Sequence, residues 1–221
     1  MFTAAEGEEI SRVKDLLLLD ISNIMNSEKY STDLMSYIVN YGILTGGASA
    51  SMFHKEQPND YDIFIEDTDT IGHIERYLAK HPEFIKDVKE GYFVKDSQME
   101  GKVWSSRAIT LKGNIQLIIM NTASQRIQFD FEHCKPWLHL RTRKYFISEE
   151  QYRSIKSKTL LPTVHQQPAP HRIFKFEERG WKMSDRVQRN PFVSPIPVKN
   201  IPVPPDRNQA ILDEDLADIP F

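Results

Sequence analysis

A pair of glycines, Gly46 and Gly47, is followed after a short interval by two aspartates, Asp60 and Asp62, set among Tyr61, Ile63, Phe64 and Ile65. No other feature constrains the chain as much. Side chains of a strand alternate faces, so acids at i and i+2 project together while Tyr61 and Ile63 turn the other way. Two carboxylates side by side on one sheet face repel each other and lose water at a cost. A hard divalent cation relieves both problems with oxygen ligands. Ahead of the acids, Ile43 to Thr45 reads as a short buried strand, and Ala48 to Lys55 as a helix starting straight after the glycines. A strand, a glycine turn and a helix N-terminus direct free backbone N–H groups and a positive dipole end at one point, which suits an anion. Each motif alone is ordinary, since Asp-x-Asp pairs also occur as solvated charge and Gly-Gly in plain turns. Together, with the acids in an apolar strand, they point to phosphate beside a metal.

The 221 residues are enough for one main domain with a smaller appendage, and 40% hydrophobic with 27% charged content can build a core. A formal net charge of −3 excludes a basic field over the whole molecule, so a nucleic-acid partner would need a local patch. The one cysteine, Cys134, rules out an internal disulfide and fits a cytoplasmic setting. The first residues are acidic, with Glu6, Glu8 and Glu9, and lack the apolar core of a signal peptide. No apolar run is long enough to cross a bilayer, so no membrane partner is expected.

Apolar spacings of three and four predict a helix over Glu6 to Met25, and Ser31 is positioned to cap a second over Ser31 to Asn40. Strands are expected at Asp60 to Glu66, Tyr92 to Lys95, Ala108 to Leu111, Asn114 to Met120 and Arg126 to Glu132, with a tight turn at Lys112 and Gly113. Further helices are expected at Thr70 to Lys80, from a Ser148–Gln151 capping box to Lys158, and at His171 to Met183 with a break at Gly180. Pro162 to Pro170 reads as a loop. From Arg186 the composition changes, and seven of the 13 prolines lie between Asn190 and Phe221. Such a segment sustains neither helix nor central strand, and reads as a mostly disordered tail whose extended stretches suit a protein partner. The division expected is N-terminal helices in 1–40, a core in 41–145, a C-terminal helical region in 146–185 and the tail in 186–221.

A two-metal phosphoryl-transfer site needs a third acid from a neighbouring strand. Alternation along Arg126 to Glu132 sets Asp130 and Glu132 on one face and Phe129 and Phe131 in the core. Asp130, flanked by phenylalanines, is the deeper candidate, with Glu132 in reserve. Arg172, Lys175 and Arg179 fall at i, i+3 and i+7, a stripe for triphosphate or acceptor-backbone contacts; a solvated face paired with Glu177 and Glu178 is the alternative. Lys156, Lys158 and the run Arg141 to Lys144 carry the same ambiguity. Trp181 reads as packing a helix end, and His54 as a helix-end residue. His133, Cys134 and His139 lack a fourth ligand at zinc spacing.

Gly46-Gly47, then Asp60 and Asp62 ahead of an apolar run, then Asp130, resemble the polymerase-β-type nucleotidyltransferase superfamily, which includes CCA-adding enzymes, poly(A) polymerases and antibiotic nucleotidyltransferases. The segments Gln128 to Cys134, Ile147 to Leu160 and Arg172 to Trp181 are similar to small nucleotidyltransferase-like proteins of tailed bacteriophages. The resemblance covers residues from about 40 to 183. It implies an α+β fold, a small mixed sheet with helices on one face. Gly46, Gly47 and Ser49 would cradle a nucleoside triphosphate, and Asp60, Asp62 and Asp130 would hold two Mg²⁺ or Mn²⁺ ions. The implied reaction leaves a nucleoside monophosphate on a hydroxyl of an RNA end, a small molecule or a protein. Many relatives carry serine directly after the first glycine, whereas this chain has Gly47, Ala48 and then Ser49, with Ser51 as the other hydroxyl. The competing functions are a catalytically inactive nucleotide- or RNA-binding protein of the same fold and an interaction protein acting through its tail.

Overall fold

Helix α1, Ala4–Ser27, begins at a capping box in which the Thr3 hydroxyl accepts from the Glu6 amide and the Glu6 carboxylate accepts from the Thr3 amide. Its stripe Val13, Leu17, Ile21 and Met25 is buried. Helix α2, Thr32–Tyr41, is capped by the Ser31 hydroxyl as its sequence predicts, and buries Leu34 and Ile38. Strand β1, Gly42–Thr45, leads through the two glycines into a short helix α3, Ala48–Phe53, all of whose residues are buried. Strand β2, Tyr61–Ile65, is followed by α4, Thr68–Lys80, which the Asp67 carboxylate caps at the Thr70 amide. The computed structural model describes residues 2–65, 67–87, 93–94, 103–104, 108–118, 129–163, 168 and 170–184.

The next strands are short: β3, Ile85–Asp87; β4, Phe93–Val94; β5, Val103–Trp104; β6, Ala108–Leu111; and β7, Ile115–Ile118. Then come β8, Trp137–His139, β9, Lys144–Phe146, helix α5, Glu149–Lys156, strand β10, Thr159–Leu160, helix α6, Pro170–Glu177, and strand β11, Lys182–Met183. Seven strands form one mixed sheet in the order β3-β6-β7-β2-β1-β8-β9, while β4 with β5 and β10 with β11 form separate two-stranded ladders. Only the β2–β7 pairing within the large sheet is parallel; its other neighbours are antiparallel.

Register gives the sheet two unlike faces. Leu44, Tyr61, Ile63, Ile65, Ile109, Leu111, Ile115, Leu117 and Leu138 share one face, and all are at most 1% exposed. They pack with α1, α2 and α4, so helices lie on one face as the resemblance implies. The Tyr61 hydroxyl donates to the Asp20 carboxylate at 2.6 Å, tying β2 to α1. The opposite face carries Thr45, Asp62 and Gln116, and forms the floor of the cleft described below.

Several expected elements differ. The strand expected over Arg126 to Glu132 reduces, in its described part, to one bridge between Phe131 and Pro162; Asp130 lies in a bend and Glu132–Cys134 form a 3₁₀ turn. Backbone bonds impose this, since Glu132 N donates to Leu161 O and Cys134 N to Phe131 O, which curls the chain away from a ladder. Residues 126–128 lie outside the described residues. Within Tyr92 to Lys95 the described pair Phe93–Val94 forms a ladder with Val103–Trp104. The final helix stops at Glu177 rather than reaching Met183. Gly180 takes a φ of +81°, and Lys182–Met183 then run parallel to β10. The Arg141 to Lys144 run is the turn of the β8–β9 hairpin, with Arg143 at a φ of +56°. Helix α3 ends at Phe53, before Lys55. The turn at Lys112 and Gly113 is present, with φ of +70° at Gly113. The expected tail, 186–221, lies outside the described residues. Among the described residues no helix is long and apolar enough to cross a membrane.

Candidate functional site

The cleft on the open sheet face starts from the register between β1 and β2. Thr45 stands opposite Asp62, so the glycines that follow Thr45 run past the Asp62 carboxylate. Gly46 adopts a φ of +82°, and a Cβ there would lie 2.4 Å from Asp62 Oδ2. Both the left-handed backbone and the close approach require glycine. The Gly46 amide donates to Cys134 O at 3.0 Å, and the Thr45 hydroxyl lies 3.1 Å from Cys134 O and 2.9 Å from Pro136 O. These bonds fasten the glycine turn to the segment that follows Asp130.

Asp130 is held from its other side. Thr163 N donates to Asp130 O at 3.0 Å and the Thr163 hydroxyl to Phe129 O at 2.6 Å. Phe129 meets Phe64 of β2 edge-on with ring centroids 6.1 Å apart. The Asp130 side chain thereby lines the same cleft as Asp60 and Asp62, although it comes from a bend rather than a strand. Only 5% of Asp130 is exposed, and both its oxygens are occupied: Arg172 Nε donates to Oδ2, and Nη2 donates to Oδ1 at 3.0 Å.

The cleft encloses about 430 Å³. Its acidic side carries Asp60 and Asp62, and the opposing side carries Arg172 and Lys175 of α6 with Arg179 just beyond the helix. The three cations converge on one cleft even though helix α6 ends before Arg179. Arg179 Nη2 lies 3.2 Å from the Ser51 hydroxyl and 3.7 Å from the Glu56 carboxylate, to which Lys158 donates at 2.7 Å. The bond from Lys158 holds the Glu56 carboxyl below its ordinary range, against the effect of burial. Lys156 pairs instead with Glu9 of α1 at 2.8 Å. Two of the candidate basic groups are thus structural ion pairs or cleft-edge supports, and not phosphate contacts.

Asp62 shows what placing two acids side by side costs. Part of its surface opens to the cleft, yet protein surrounds the carboxyl. Burial first, and the Asp60 charge second, push it up to about 7, while Arg172 and Lys175 pull the other way. The Arg172 guanidinium is itself opposed by burial, but its bonds with Asp130 more than offset that and raise its pKa. Cys134 borders the cleft with a thiol that burial pushes up to about 12, so it is not a nucleophile at neutral pH.

The donor set fits a hard divalent cation at Asp60 and Asp62: two oxygen acids at i and i+2, mutually repelling, beside a glycine turn that leaves Asp62 room. Asp130, expected as a third metal ligand, is bonded through both oxygens to Arg172. Among the described residues no three His, Cys, Asp or Glu side chains are grouped closely enough to hold one metal together. Ser49 also departs from expectation. It is 1% exposed, its hydroxyl is directed at Tyr145, and it does not line the cleft, whereas Ser51 does. The reason is helical spacing, since successive residues of α3 point to different sides.

Four cleft residues escape the sequence reading: Asn59, Gln116, Phe129 and Phe176. Gln116 pairs in register with Asp62 across the parallel β2–β7 ladder. The buried residues Ile115 and Leu117 on either side signal that Gln116 faces the other way, but only the register shows that it neighbours Asp62. His133 and Trp181 lie behind α6 in an aromatic group. Their rings are 4.0 Å apart, with Phe131 and Phe176 around His133. Trp181 packs there, and His54 caps α3 with its Nε2 at 2.7 Å from Ile155 O.

A family model described as Gabija anti-defense 2 family protein matches residues 18–158. Among solved structures, the chain is similar to a Thermotoga maritima CCA-adding enzyme complexed with tRNA, at 17% identity and a TM-score of 0.48 over 76% of this chain. It is also similar to a tRNA-processing enzyme in an apo form, at 12% identity and a TM-score of 0.49 over 76% of this chain. The chain spans only 40% and 45% of the length of those two structures. Among curated proteins none matches the chain. The family match covers well over half of the sequence, and the chain belongs to the Gabija anti-defense 2 family.

Proposed function

We propose that this Gabija anti-defense 2 family protein is a nucleotidyltransferase. It moves a nucleoside monophosphate from a nucleoside triphosphate to a hydroxyl of an RNA end, a small molecule or a protein. The acceptor oxygen bonds to the α-phosphorus as the bond to the leaving pyrophosphate breaks. The observation that carries this reading is the free acid pair Asp60 and Asp62, facing Lys175, Arg179 and Arg172 across one cleft with Gly46 against Asp62. Asp60 and Asp62 would hold Mg²⁺, which when bound supplies charge neutralisation at the phosphate oxygens. Lys175 and Arg179 bind and orient the β- and γ-phosphates, and catalysis is positioning with electrostatic stabilisation. On this reading the protein is a tailed-bacteriophage product acting in the host cytoplasm, and its acceptor is sought among the components of the defence for which its family is named.

The test incubates the full chain with Mg²⁺ or Mn²⁺ and each labelled nucleoside triphosphate, with total host RNA, small-molecule extract or Gabija-bearing cell protein as acceptor. Label transfer with pyrophosphate release, lost in Asp60→Asn and Asp62→Asn, is expected. Transfer that survives both substitutions overturns the reading. A second reading has one observation in its favour: Asp130, which a two-metal reaction would need, is neutralised by Arg172. In that case the cleft binds nucleotide without turnover, and the same assay gives metal-dependent nucleotide retention with no pyrophosphate.

A further inference from the structure

The cleft contains two kinds of acid. Among the described residues no basic side chain is bonded to Asp60 or Asp62, whereas Asp130 gives both oxygens to one guanidinium. The Asp130–Arg172 pair is built into the fold from both ends. Thr163 N fixes the Asp130 backbone, and the Thr163 hydroxyl fixes Phe129 before it. Arg172 rises from the first turn of α6 and places its guanidinium 5.8 Å from the centroid of the Phe176 ring, on the same helix. A two-pronged guanidinium–carboxylate pair is planar and directional, so it holds orientation as well as charge. The nearest strand neighbour of Asp62 across the ladder is Gln116, a neutral amide that brings no third negative charge to the pair.

We propose, resting on the nucleotidyltransferase reading, that Arg172 holds the place on Asp130 that a second cation would take, so that the cleft takes one divalent cation, on Asp60 and Asp62, rather than two. A guanidinium and a hard cation differ in what they can do for the reaction. The guanidinium supplies a permanent charge and two or more N–H donors, but it cannot lower the pKa of an oxygen by direct ligation. Arg172 is therefore a positioning residue: it occupies both oxygens of Asp130, which withholds that acid from a metal, and it lines the cleft with its remaining N–H donors. Among the described residues the Arg179 guanidinium meets only Glu56 at 3.7 Å and the Ser51 hydroxyl at 3.2 Å, and Lys175 has no bonded carboxylate, which distinguishes Arg172, bonded twice to Asp130, from the other two cations.

The experiment counts bound Mn²⁺ by electron paramagnetic resonance on the full chain, with Mn²⁺ alone as the probe and no turnover required. The wild type is expected to saturate at one Mn²⁺ per chain, and Asp62→Asn at none. Asp130→Asn, which keeps an amide oxygen for Arg172, is expected to leave the count at one and shift the dissociation constant less than threefold. Arg172→Gln frees Asp130 and is expected to admit a second Mn²⁺. Two Mn²⁺ ions on the wild type, or a tenfold weakening in Asp130→Asn, overturns the inference while leaving nucleotidyl transfer standing. A wild type that binds no Mn²⁺ overturns both. Should Arg172→Gln fail to fold, the wild-type count and Asp130→Asn still decide the matter.

Discussion

The two charged pairs of the cleft, Asp60 and Asp62 at the start of β2 and Asp130 with Arg172, respond to the same problem in opposite ways. Each brings carboxylate charge into a partly dry pocket. Asp130 is compensated within the chain by a guanidinium 42 residues away, and that contact fastens α6 to the segment before the 3₁₀ turn. Asp60 and Asp62 are left to repel each other, with Asp62 pushed up to about 7 by burial and by its neighbour. The Asp130 charge is cancelled by one direct ion pair, whereas Asp62 feels Arg172 and Lys175 only at longer range, and on the proposed reading the Asp60–Asp62 pair is the one that takes an external cation. The two kinds of acid share one 430 Å³ cleft.

The largest effect should come from breaking the functional pair. Asp62→Asn is expected to lower nucleotidyl transfer by at least about a thousandfold, on the order of 4 kcal/mol of transition-state stabilisation. The fold should remain, and thermal unfolding of the metal-free protein at pH 8 should show the variant at least as stable as the wild type, because the repulsion with Asp60 is gone. Removing one member of the structural pair should have the reverse profile. Arg172→Ala leaves Asp130 buried without a partner and is expected to cost about 2 kcal/mol by urea unfolding, discounted for the partial exposure of the arginine. Asp130→Leu combined with Arg172→Met should recover most of that loss. If the double variant is no better than Arg172→Ala, the pair is doing more than cancelling charge.

Between these lies the glycine on which the functional pair depends. Gly46→Ala places a methyl 2.4 Å from Asp62 Oδ2 at a φ of +82°. The backbone penalty alone is about 1–2 kcal/mol, and displacement of the carboxylate should weaken divalent-cation affinity as well. Gly47→Ala is the control, since nothing lies within 4 Å of a Cβ there. Equal behaviour of the two variants would show that the close approach to Asp62 is unimportant.

How much of this was legible beforehand follows from the range of the interactions involved. Local signals read well: the Ser31 and Ser148 caps, the α1 stripe, and the juxtaposition of Gly46 with the acids of β2 all depend on residues close in sequence. The convergence of Arg172, Lys175 and Arg179 was anticipated from helical spacing, although Arg179 arrives by a turn and not by the helix. Long-range pairing could not be read. Nothing in residues 137–146 announces two three-residue strands, because strands that short are defined by their partners. The strand alternation used for Asp130 placed it in the cleft for the wrong local reason, and its capture by Arg172 depends on where α6 docks. Gln116 beside Asp62 is a matter of register across a parallel ladder, which one strand's sequence does not encode.

The smallest effect is a pH dependence that the wild type conceals. Asp62 is pushed from 3.8 to about 7 in the folded protein, so between those values the native state binds the extra proton and stability falls as pH rises. His133 does the opposite. Burial among Phe131, Phe176 and Trp181, with both ring nitrogens unpartnered, holds it neutral and lowers it from 6.5 to about 3. Between those values the unfolded state binds the extra proton and stability rises with pH. Each slope is at most about 1.4 kcal/mol per pH unit, and the two windows overlap. They oppose each other from about pH 4 to 6.5, so their two contributions should nearly cancel in the metal-free wild type there. Replacing either group should unmask the other: Asp62→Asn should gain stability as pH rises through that range, and His133→Leu should lose it. Urea unfolding of the three proteins at pH 4.5 and 6.5 reads the signs directly, and two variants that slope the same way would refute the assignment of opposite pKa shifts to the two buried groups.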